Sequence, residues 1–187
     1  MALKDLTMPA IEPVDLTYAK TFLRIDGTAE GELVSDLIST ARVQVENILG
    51  RTLIRRTLLY SGPVPNGHCL VLPRPPLLAV LRLSVIGPDD LAIDIPTQDY
   101  TVNTRRDPGE INLKPEKCWR DYMVDCQSLE IEFTAGYGDL ASDIPLPIKQ
   151  AILLLLAQHY EYRDGAENPG VPMMVDALLM PYRWVRL

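Results

Sequence analysis

The residues of this chain that could carry nucleophilic or metal chemistry are three cysteines and two histidines. His68 directly precedes Cys69, but no further Cys or His follows at the two-to-four-residue spacing that is typical of zinc ligands. Cys118 and Cys126 stand eight residues apart, which is not a metal-ligand spacing either. An odd number of cysteines leaves at least one unpaired, which favours buried thiols in a reducing compartment. We therefore predict no metal centre, no cofactor and no catalytic residue.

The other residues with possible chemistry have simpler structural interpretations. His159 lies in a strongly apolar stretch, where a hydrogen-bonded structural histidine is expected. Residues 136–139 contain two glycines but lack the Lys and Ser/Thr of a phosphate-binding loop, so we interpret them as a turn. Glu130 and Glu132 point to one face of a predicted strand and are interpreted as a solvated edge.

Length, composition and charge are those of an ordinary globular protein. The 187 residues suffice for one domain with a sizeable core, and 47% of them are hydrophobic. The formal net charge of -7 argues against a protein that binds nucleic acid tightly through its phosphates. The first residues contain no long apolar stretch, so no secretory signal is predicted. No apolar run approaches the ~20 residues of a membrane span, so no membrane partner is expected.

One central helix, predicted over residues 143–163, must position much of the chain. Asp143 is expected to cap its first turn, and Pro145 and Pro147 suit a helix entry, where a missing N–H costs nothing. Apolar residues extend over nearly every side of this helix, and they are Ile148, Ile152, Leu153, Leu154, Leu155, Leu156, Ala157 and Tyr160. Such a helix must be buried on nearly every side.

Three further helices are predicted around it. Thr17 is expected to cap a short helix over residues 18–24, and Thr28 to begin a longer one that ends at Gly50. Pro172 is expected to open the last helix. The first 14 residues show no clear period and are interpreted as an extended arm or a frayed terminus.

Between residues 51 and 134 the hydrophobic period changes from helical to strand-like. Seven short runs rich in branched residues are separated by turns of Pro, Gly, Asn and Asp, and they cover residues 52–60, 69–72, 78–86, 91–95, 100–103, 110–113 and 128–134. Turn signals at about every ten residues indicate a small antiparallel sandwich or barrel.

The predicted fold class is therefore α+β, with a helical core of about four helices and an antiparallel β sandwich or barrel-like region inserted between helices 2 and 3. The whole chain, residues 1–187, is expected to form a single domain. Residues 1–50 would supply the N-terminal arm and two helices, residues 51–135 the β-rich insertion, and residues 143–187 the core helix and the C-terminal helix with its tail.

Two groups of surface residues are candidates for interactions. Glu32, Asp36 and Glu46 share the polar face of the second helix, which is interpreted either as a solvated face or as a negative surface that lines a channel. The C-terminal tail contains Trp184 between two arginines, and both residue types are enriched at binding hot spots. The alternative is that Trp184 folds back on the core.

Four short segments occur in a specific order, and their order and spacing extend over almost the whole chain. They are residues 19–26, which include Leu-Arg-Ile-Asp; residues 72–77, Leu-Pro-Arg-Pro-Pro-Leu; residues 133–138, Phe-Thr-Ala-Gly-Tyr-Gly, leading into the central helix; and residues 175–183. This set resembles the head–tail connector, or adaptor, proteins of tailed phages and phage-like gene transfer particles. In that family the central helix commonly ends in His-Tyr-Glu-Asn-Arg, whereas here Tyr162 stands in place of the Asn.

The resemblance implies a structural protein without an active site. Such connectors form a ring, typically of about twelve subunits, that lies beneath the portal and joins the DNA-filled head to the tail. The implied partners are other copies of the chain, the portal protein, the next tail component (a stopper or terminator) and double-stranded DNA that passes without specific binding. The expected location is the neck of a virion or phage-like particle, assembled in the bacterial cytoplasm.

The resemblance also suggests roles for the two surface groups. Glu32, Asp36 and Glu46 would lie in the lumen or at a subunit interface, where negative charge lets DNA slide. The portal contact would be anchored by the C-terminal residues Tyr182, Arg183, Trp184, Arg186 and Leu187.

Two other hypotheses stay open. The first is a different virion tail-completion or interaction protein that is monomeric until assembly. The second is a small enzyme that uses Cys118 or Cys126 with His68 or His159, although no recognised motif spacing supports such a pair.

Overall fold

The computed structural model describes residues 2–27, 30–122, 125–162 and 170–184. The chain divides into two compact units, each built from two separate stretches of sequence. Met1–Pro9 and Arg55–Gly136 form the β unit, and Ala10–Ile54 and Tyr137–Leu187 form the helical unit. Antiparallel sheets and α-helices are thus segregated, which confirms the α+β fold class.

The described part of the β unit holds eight strands. They are β1 (Ala2–Asp5), β2 (Arg56–Pro63), β3 (Cys69–Val71), β4 (Leu77–Ile86), β5 (Ala92–Asp94), β6 (Tyr100–Asn103), β7 (Glu110–Leu113) and β8 (Ser128–Ala135). A five-stranded antiparallel sheet has the order β1-β2-β8-β4-β5, and a three-stranded one has the order β3-β7-β6. All seven strands predicted from the sequence are present, with ends shifted by a few residues.

The central strand of the larger sheet is β8, which pairs with β2 on one side and with β4 on the other. Leu129, Ile131 and Phe133 are fully buried and the residues between them are half-buried, so the predicted alternation is confirmed. The interpretation of Glu130 and Glu132 as a solvated edge is wrong, because both sides of β8 are hydrogen-bonded to neighbouring strands.

The first residues form the edge strand β1 rather than a frayed terminus. All four residues of β1 are exposed, so the strand has no buried face that an alternating hydrophobic pattern could reveal in the sequence. Its backbone pairs antiparallel with β2. Arg56 Nε donates to Asp5 Oδ1 at 2.9 Å, and the Leu6 N–H donates to the Thr57 carbonyl at 2.9 Å. Backbone pairing and one ion pair therefore hold this strand in place.

The described part of the helical unit contains α1 (Leu16–Leu23), α2 (Gly31–Leu49), α3 (Leu146–Glu161) and α4 (Met173–Leu179). The other three helices pack against α3. Its buried residues are Ile148, Ala151, Ile152, Leu153, Leu155 and Leu156. These residues cover about 200° around the helix axis. The remaining residues from Pro147 to Tyr160 are half-buried, so the predicted burial of this helix on nearly every side is confirmed.

Two of the predicted helix caps are wrong. The Asp15 Oδ1 accepts from the Tyr18 N–H at 2.8 Å, so Asp15 and not Thr17 caps α1. Asp143 does not cap α3, because its Oδ2 accepts from the Leu140 N–H at 2.9 Å within the preceding turn. In both cases the carboxylate satisfies the N–H that lies three residues from it.

Other predicted helix ends agree with the structure. Gly50 ends α2 with a left-handed φ of 67°, a conformation that glycine adopts without steric cost. Pro172 directly precedes α4, as predicted. Thr28 lies outside the described residues, and the described helix α2 begins after Glu30.

A buried ion pair on α2 corrects the prediction for Glu46. Arg42 and Glu46 are only 7% and 2% exposed. Glu46 Oε2 accepts from Arg42 NH1 at 3.2 Å, and its Oε1 accepts from the Leu53 N–H at 2.9 Å. Arg42 Nε also donates to Glu12 Oε2 at 2.8 Å. Glu46 therefore does not share an exposed acidic face with Glu32 and is engaged within its own subunit.

Replacing Glu46 with Ala should lower the free energy of unfolding by about 3 kcal/mol, because Arg42 and the Leu53 N–H each lose a buried partner. Urea unfolding followed by far-UV circular dichroism measures the change. Glu32→Ala, on the exposed side of the same helix, is the control and should stay within about 0.5 kcal/mol of the parent. Similar small changes in both variants would show that the buried pair is not needed for stability.

A close approach at Gly109 gives a second stability prediction. A Cβ atom at this position would overlap Leu77 Cβ and would lie 2.5 Å from Leu77 Cδ2. Because a Cβ atom cannot move without its backbone, Gly109→Ala should lower the free energy of unfolding by about 1–3 kcal/mol. Gly67→Ala is the matched control in the same unit, since its Cβ would meet nothing within 4 Å. A parallel urea titration of the two variants tests the difference, and equal midpoints would refute it.

Candidate assembly surfaces

The C-terminal segment that follows α4 is attached to the end of α2. A short 3-10 turn, Met180–Tyr182, continues directly from α4. Arg51 Nε donates to the Tyr182 carbonyl at 2.5 Å, and the Trp184 N–H donates to the Leu49 carbonyl at 3.2 Å. These bonds fix the backbone of the segment as far as Trp184.

The predicted portal anchors fall into three groups. Tyr182 and Trp184 are half-buried, and Trp184 Cε3 would lie 3.8 Å from a Cβ placed on Gly50, so Trp184 folds back onto its own unit. Arg183 is exposed, and its NH2 donates to Asp176 Oδ1 at 2.8 Å. Arg186 and Leu187 lie outside the described residues. A role of this segment in binding the portal stays a prediction.

The acidic face of α2 is smaller than the sequence predicts. Glu32 and Asp36 are exposed and lie four residues apart, so they share one side of the helix. Glu46, the third predicted member, is buried against Arg42. The remaining surface offers two neighbouring carboxylates, which suit repulsion of a polyanion but form no ligand site.

A groove in the helical unit was not foreseen from the sequence. It has a volume of about 830 Å³. Its walls are the segment before α1, the first half of α2 and the N-terminal half of α3. Much of its rim is apolar, since Leu146 is 75% exposed and Tyr18 is 54% exposed. Glu12 and Lys149 supply charged groups to the lining.

Three exposed methionines on and just after α4 form a second apolar surface. Met173, Met174 and Met180 are 88%, 65% and 72% exposed, whereas Val175 and Leu179 of the same helix are fully buried. The buried pair explains why α4 packs on α3, but it leaves the methionines unexplained. Hydrophobic periodicity identifies the buried stripe of a helix but gives no signal for apolar residues on its other side. It therefore does not predict that these three methionines are exposed.

Three of the residues considered for enzyme chemistry lie together. His68, Cys118 and Cys126 line one small pocket of about 210 Å³ in the β unit. The Cys118 Sγ donates to Asp121 Oδ1 at 3.1 Å. The backbone N–H and then the thiol of Cys118 hold the pKa of the Asp121 carboxyl below its usual range. The thiol therefore donates to a carboxylate, and no hydrogen bond joins it to His68 among the contacts of the described residues.

His159 belongs to the helical unit and is engaged there. Its Nε2 lies 2.8 Å from Gln44 Oε1, as expected for a structural histidine. Among the described residues, no group of three His, Cys, Asp or Glu side chains is placed to hold a metal ion. In the same parts of the chain, no helix has the length and apolar character that crossing a membrane requires.

Other polar groups with shifted pKa values stabilise the β unit. Burial would raise the pKa of Glu110, but hydrogen bonds from Asn112 and Asn103 and the neighbouring Arg106 lower it below its usual value. Burial, and then the hydrogen bond that its hydroxyl donates to Asp99 at 2.8 Å, raise the pKa of Tyr122. Both groups satisfy partners within their own unit, so they point to structural roles.

Comparison with known proteins gives no match to any protein-family model or curated protein. Solved structures do match. The chain is similar to one in the neck of an empty GTA particle computed with C6 symmetry, at 22% identity and a TM-score of 0.77. Similar chains occur in the virion of a native gene transfer agent (GTA) particle, at 23% identity and a TM-score of 0.81, and in the neck of a native GTA particle computed with C12 symmetry, at 24% and 0.76.

Each of these alignments covers 100% of this chain and 97% of the other chain. The likeness therefore includes the β unit, the helical unit and the connections between them. This chain has the fold of proteins found in the neck and virion of gene transfer agent particles.

Proposed function

We propose that this chain is a structural connector in the neck of a phage-like or gene transfer particle, where copies of it form a ring between the head and the tail. The observation that carries the proposal is the full-length likeness to chains from GTA necks and virions, with TM-scores from 0.76 to 0.81. The four sequence segments that resemble connector proteins support it independently.

The symmetry of the similar necks agrees with a ring. They were computed with C6 and C12 symmetry, and about twelve copies are typical of the connector family. A ring needs contacts between two different surfaces of each subunit, repeated around an axis until it closes. The groove and the exposed methionines supply two such surfaces.

The charge of the chain suits DNA that passes through without being held. The formal net charge is -7, and Glu32 and Asp36 present carboxylates on the exposed side of α2. Tight DNA binding requires Lys and Arg to replace the counterions of the phosphates, so an acidic lumen favours sliding. We assign these two residues to the lumen or to a subunit interface, and we withdraw Glu46 from that group because it is buried.

The C-terminal residues are the proposed contact with the portal. The bond between the Trp184 N–H and the Leu49 carbonyl fixes the point from which residues 185–187 continue. Arg183 and Trp184 place a guanidinium and an indole beside that point, and these groups favour protein interfaces. A role through surfaces is also supported by the separation of the candidate enzyme residues, since Cys118 donates to Asp121 in the β unit and His159 contacts Gln44 in the helical unit.

Deleting the gene in a strain that produces the particles tests the proposal. We expect DNA-filled heads without tails, because the ring is the connection between the two. Electron microscopy of purified particles, with a count of heads that carry tails, measures the outcome, and the wild-type chain supplied in trans is the control. Normal numbers of tailed particles from the deletion strain would overturn the connector role.

The portal contact has a separate test. A chain that stops after Trp184 keeps the contacts of Tyr182 and Trp184 with α2 but lacks Arg186 and Leu187. We expect at least about a tenfold loss of tailed particles, the size of effect produced by about 1.4 kcal/mol of binding energy. Arg105→Ala, which removes an exposed arginine of the β unit, is the control and should leave the count unchanged. Normal tailing by the shortened chain would reject the C-terminal anchor while leaving the ring itself intact.

A further inference from the structure

We propose that the subunits of the ring are joined by insertion of the methionine surface of one copy into the groove of the next copy. The methionine surface is Met173, Met174 and Met180, and the groove is the cavity of about 830 Å³ beside α3. This inference rests on the proposed ring, and it identifies the two faces that make the ring.

The groove has the size and composition of a site for apolar side chains. Its volume lies within the range of about 300–1,000 Å³ that is typical of pockets able to bury most of a small ligand. Ile38 and Leu153 contribute its buried wall, while Leu16 and Leu146 remain open to solvent at 38% and 75%. An apolar surface that stays this exposed in a folded chain is characteristic of an interaction site.

The groove is also held in a fixed shape. Glu12 lines it and accepts from Ser39 Oγ at 2.9 Å and from Arg42 Nε at 2.8 Å. Lys149 donates to the Ala141 carbonyl at 3.2 Å on the other side. Asp15, the third charged residue of the lining, accepts from the Tyr18 N–H at 2.8 Å. Because these charged groups already have partners within the unit, an occupant needs to offer apolar side chains and not compensating charges.

The methionine surface meets that requirement. Met173 and Met180 are seven residues apart, close to two helical turns, so they extend from the same side of α4. Methionine is unbranched and flexible, and it fills irregular apolar spaces better than a rigid side chain. Three such residues, at 65–88% exposure on and just after one short helix, leave a large apolar area uncovered in the helical unit.

The two surfaces share no residue and lie towards different ends of α3. The groove is lined by α3 residues from Leu146 to Leu153, whereas the chain enters α4 beside Gln158, whose Nε2 donates to the Gly170 carbonyl at 2.8 Å. Leu146 and Gln158 are separated by about 18 Å along the helix axis. Two distinct surfaces on one subunit make a head-to-tail contact, which closes into a ring when the rotation between subunits fits, whereas a twofold dimer would pair one surface with itself.

A second copy of this chain is therefore the occupant that the observations favour. Every copy carries both surfaces in equal number, and the similar chains come from necks computed with cyclic C6 and C12 symmetry. A portal or tail protein in the groove would leave the methionine surface without a partner, and it is an outcome that the experiment below distinguishes.

The test introduces opposite charges on the two surfaces. Leu146→Glu and Met173→Lys are expected to fold, because both side chains are largely exposed, and circular dichroism with a urea midpoint checks this for each purified variant. Each chain is supplied to the deletion strain, and the fraction of heads with a neck ring and tail is counted by electron microscopy. Leu91→Glu, at a 57% exposed position of the β unit, is the control and should match wild type.

We expect each single variant to reduce tailed particles by at least about tenfold. The chain that carries both substitutions should restore most of the tailed particles. If the two surfaces touch, the introduced carboxylate of one copy meets the introduced ammonium of the next copy. Co-expression of the two single variants should also restore tailed particles. In a ring in which the two variants alternate, each contact joins either the two substituted surfaces or the two wild-type surfaces.

Three outcomes would overturn this inference while the connector role stands. Normal tailing by either single variant would show that its surface is not an interface. A loss that persists in the double variant would show that the two surfaces bind different partners, such as the portal or the tail protein. Recovery by the double variant but not by co-expression would also refute head-to-tail pairing. If the deletion strain itself produces normal numbers of tailed particles, the proposed function fails instead.

Discussion

The burial of α3 on nearly every side is the constraint on which the helical unit depends. A helix with apolar residues around most of its circumference is stable in water only when neighbours cover it. α2 supplies Val34 and Ile38, and α4 supplies Val175 and Leu179, all of them fully or almost fully buried. Leu146, at the first turn of α3, is the place where this cover ends, and the groove opens there. The candidate interface is thus a direct consequence of how far the neighbours of α3 reach.

A buried group of charges then fixes the walls of that groove. Arg42 is placed between Glu12 and Glu46, and Glu46 also accepts from the Leu53 N–H. The segment before α1, helix α2 and the residues that follow α2 are therefore tied together by one guanidinium and two carboxylates. Breaking such a buried set leaves an uncompensated charge, which is strongly unfavourable. A wall held in this way is ordered before any partner arrives, so binding requires little further loss of conformational entropy.

Sequence reasoning recovered the elements whose signal is local, such as the helical spacing around Ile152 and the stop at Gly50. It failed where a distant partner decides the outcome. β1 has no buried side chain and exists because β2 offers it backbone hydrogen bonds, and Glu46 resembles a surface acid until the fold brings Leu53 to its carboxylate. The candidate surfaces were harder to predict from the sequence. The groove is formed by three separate segments, and Met173, Met174 and Met180 differ from other apolar residues only in their exposure. For a protein proposed to work through its surfaces, the informative signal is apolar area that folding leaves uncovered.

The charge of the chain explains why apolar surfaces of this kind need not make free subunits associate. At a formal net charge of -7, like-charged copies repel each other at separations where the apolar surfaces do not yet touch. That repulsion is screened beyond about 8 Å at physiological salt, so it opposes only the last approach. A surface that already holds neighbouring copies side by side, as a symmetric portal would, removes the entropic cost of bringing them together and raises their effective concentration. Assembly of the proposed ring would then depend on the balance between apolar burial and charge repulsion.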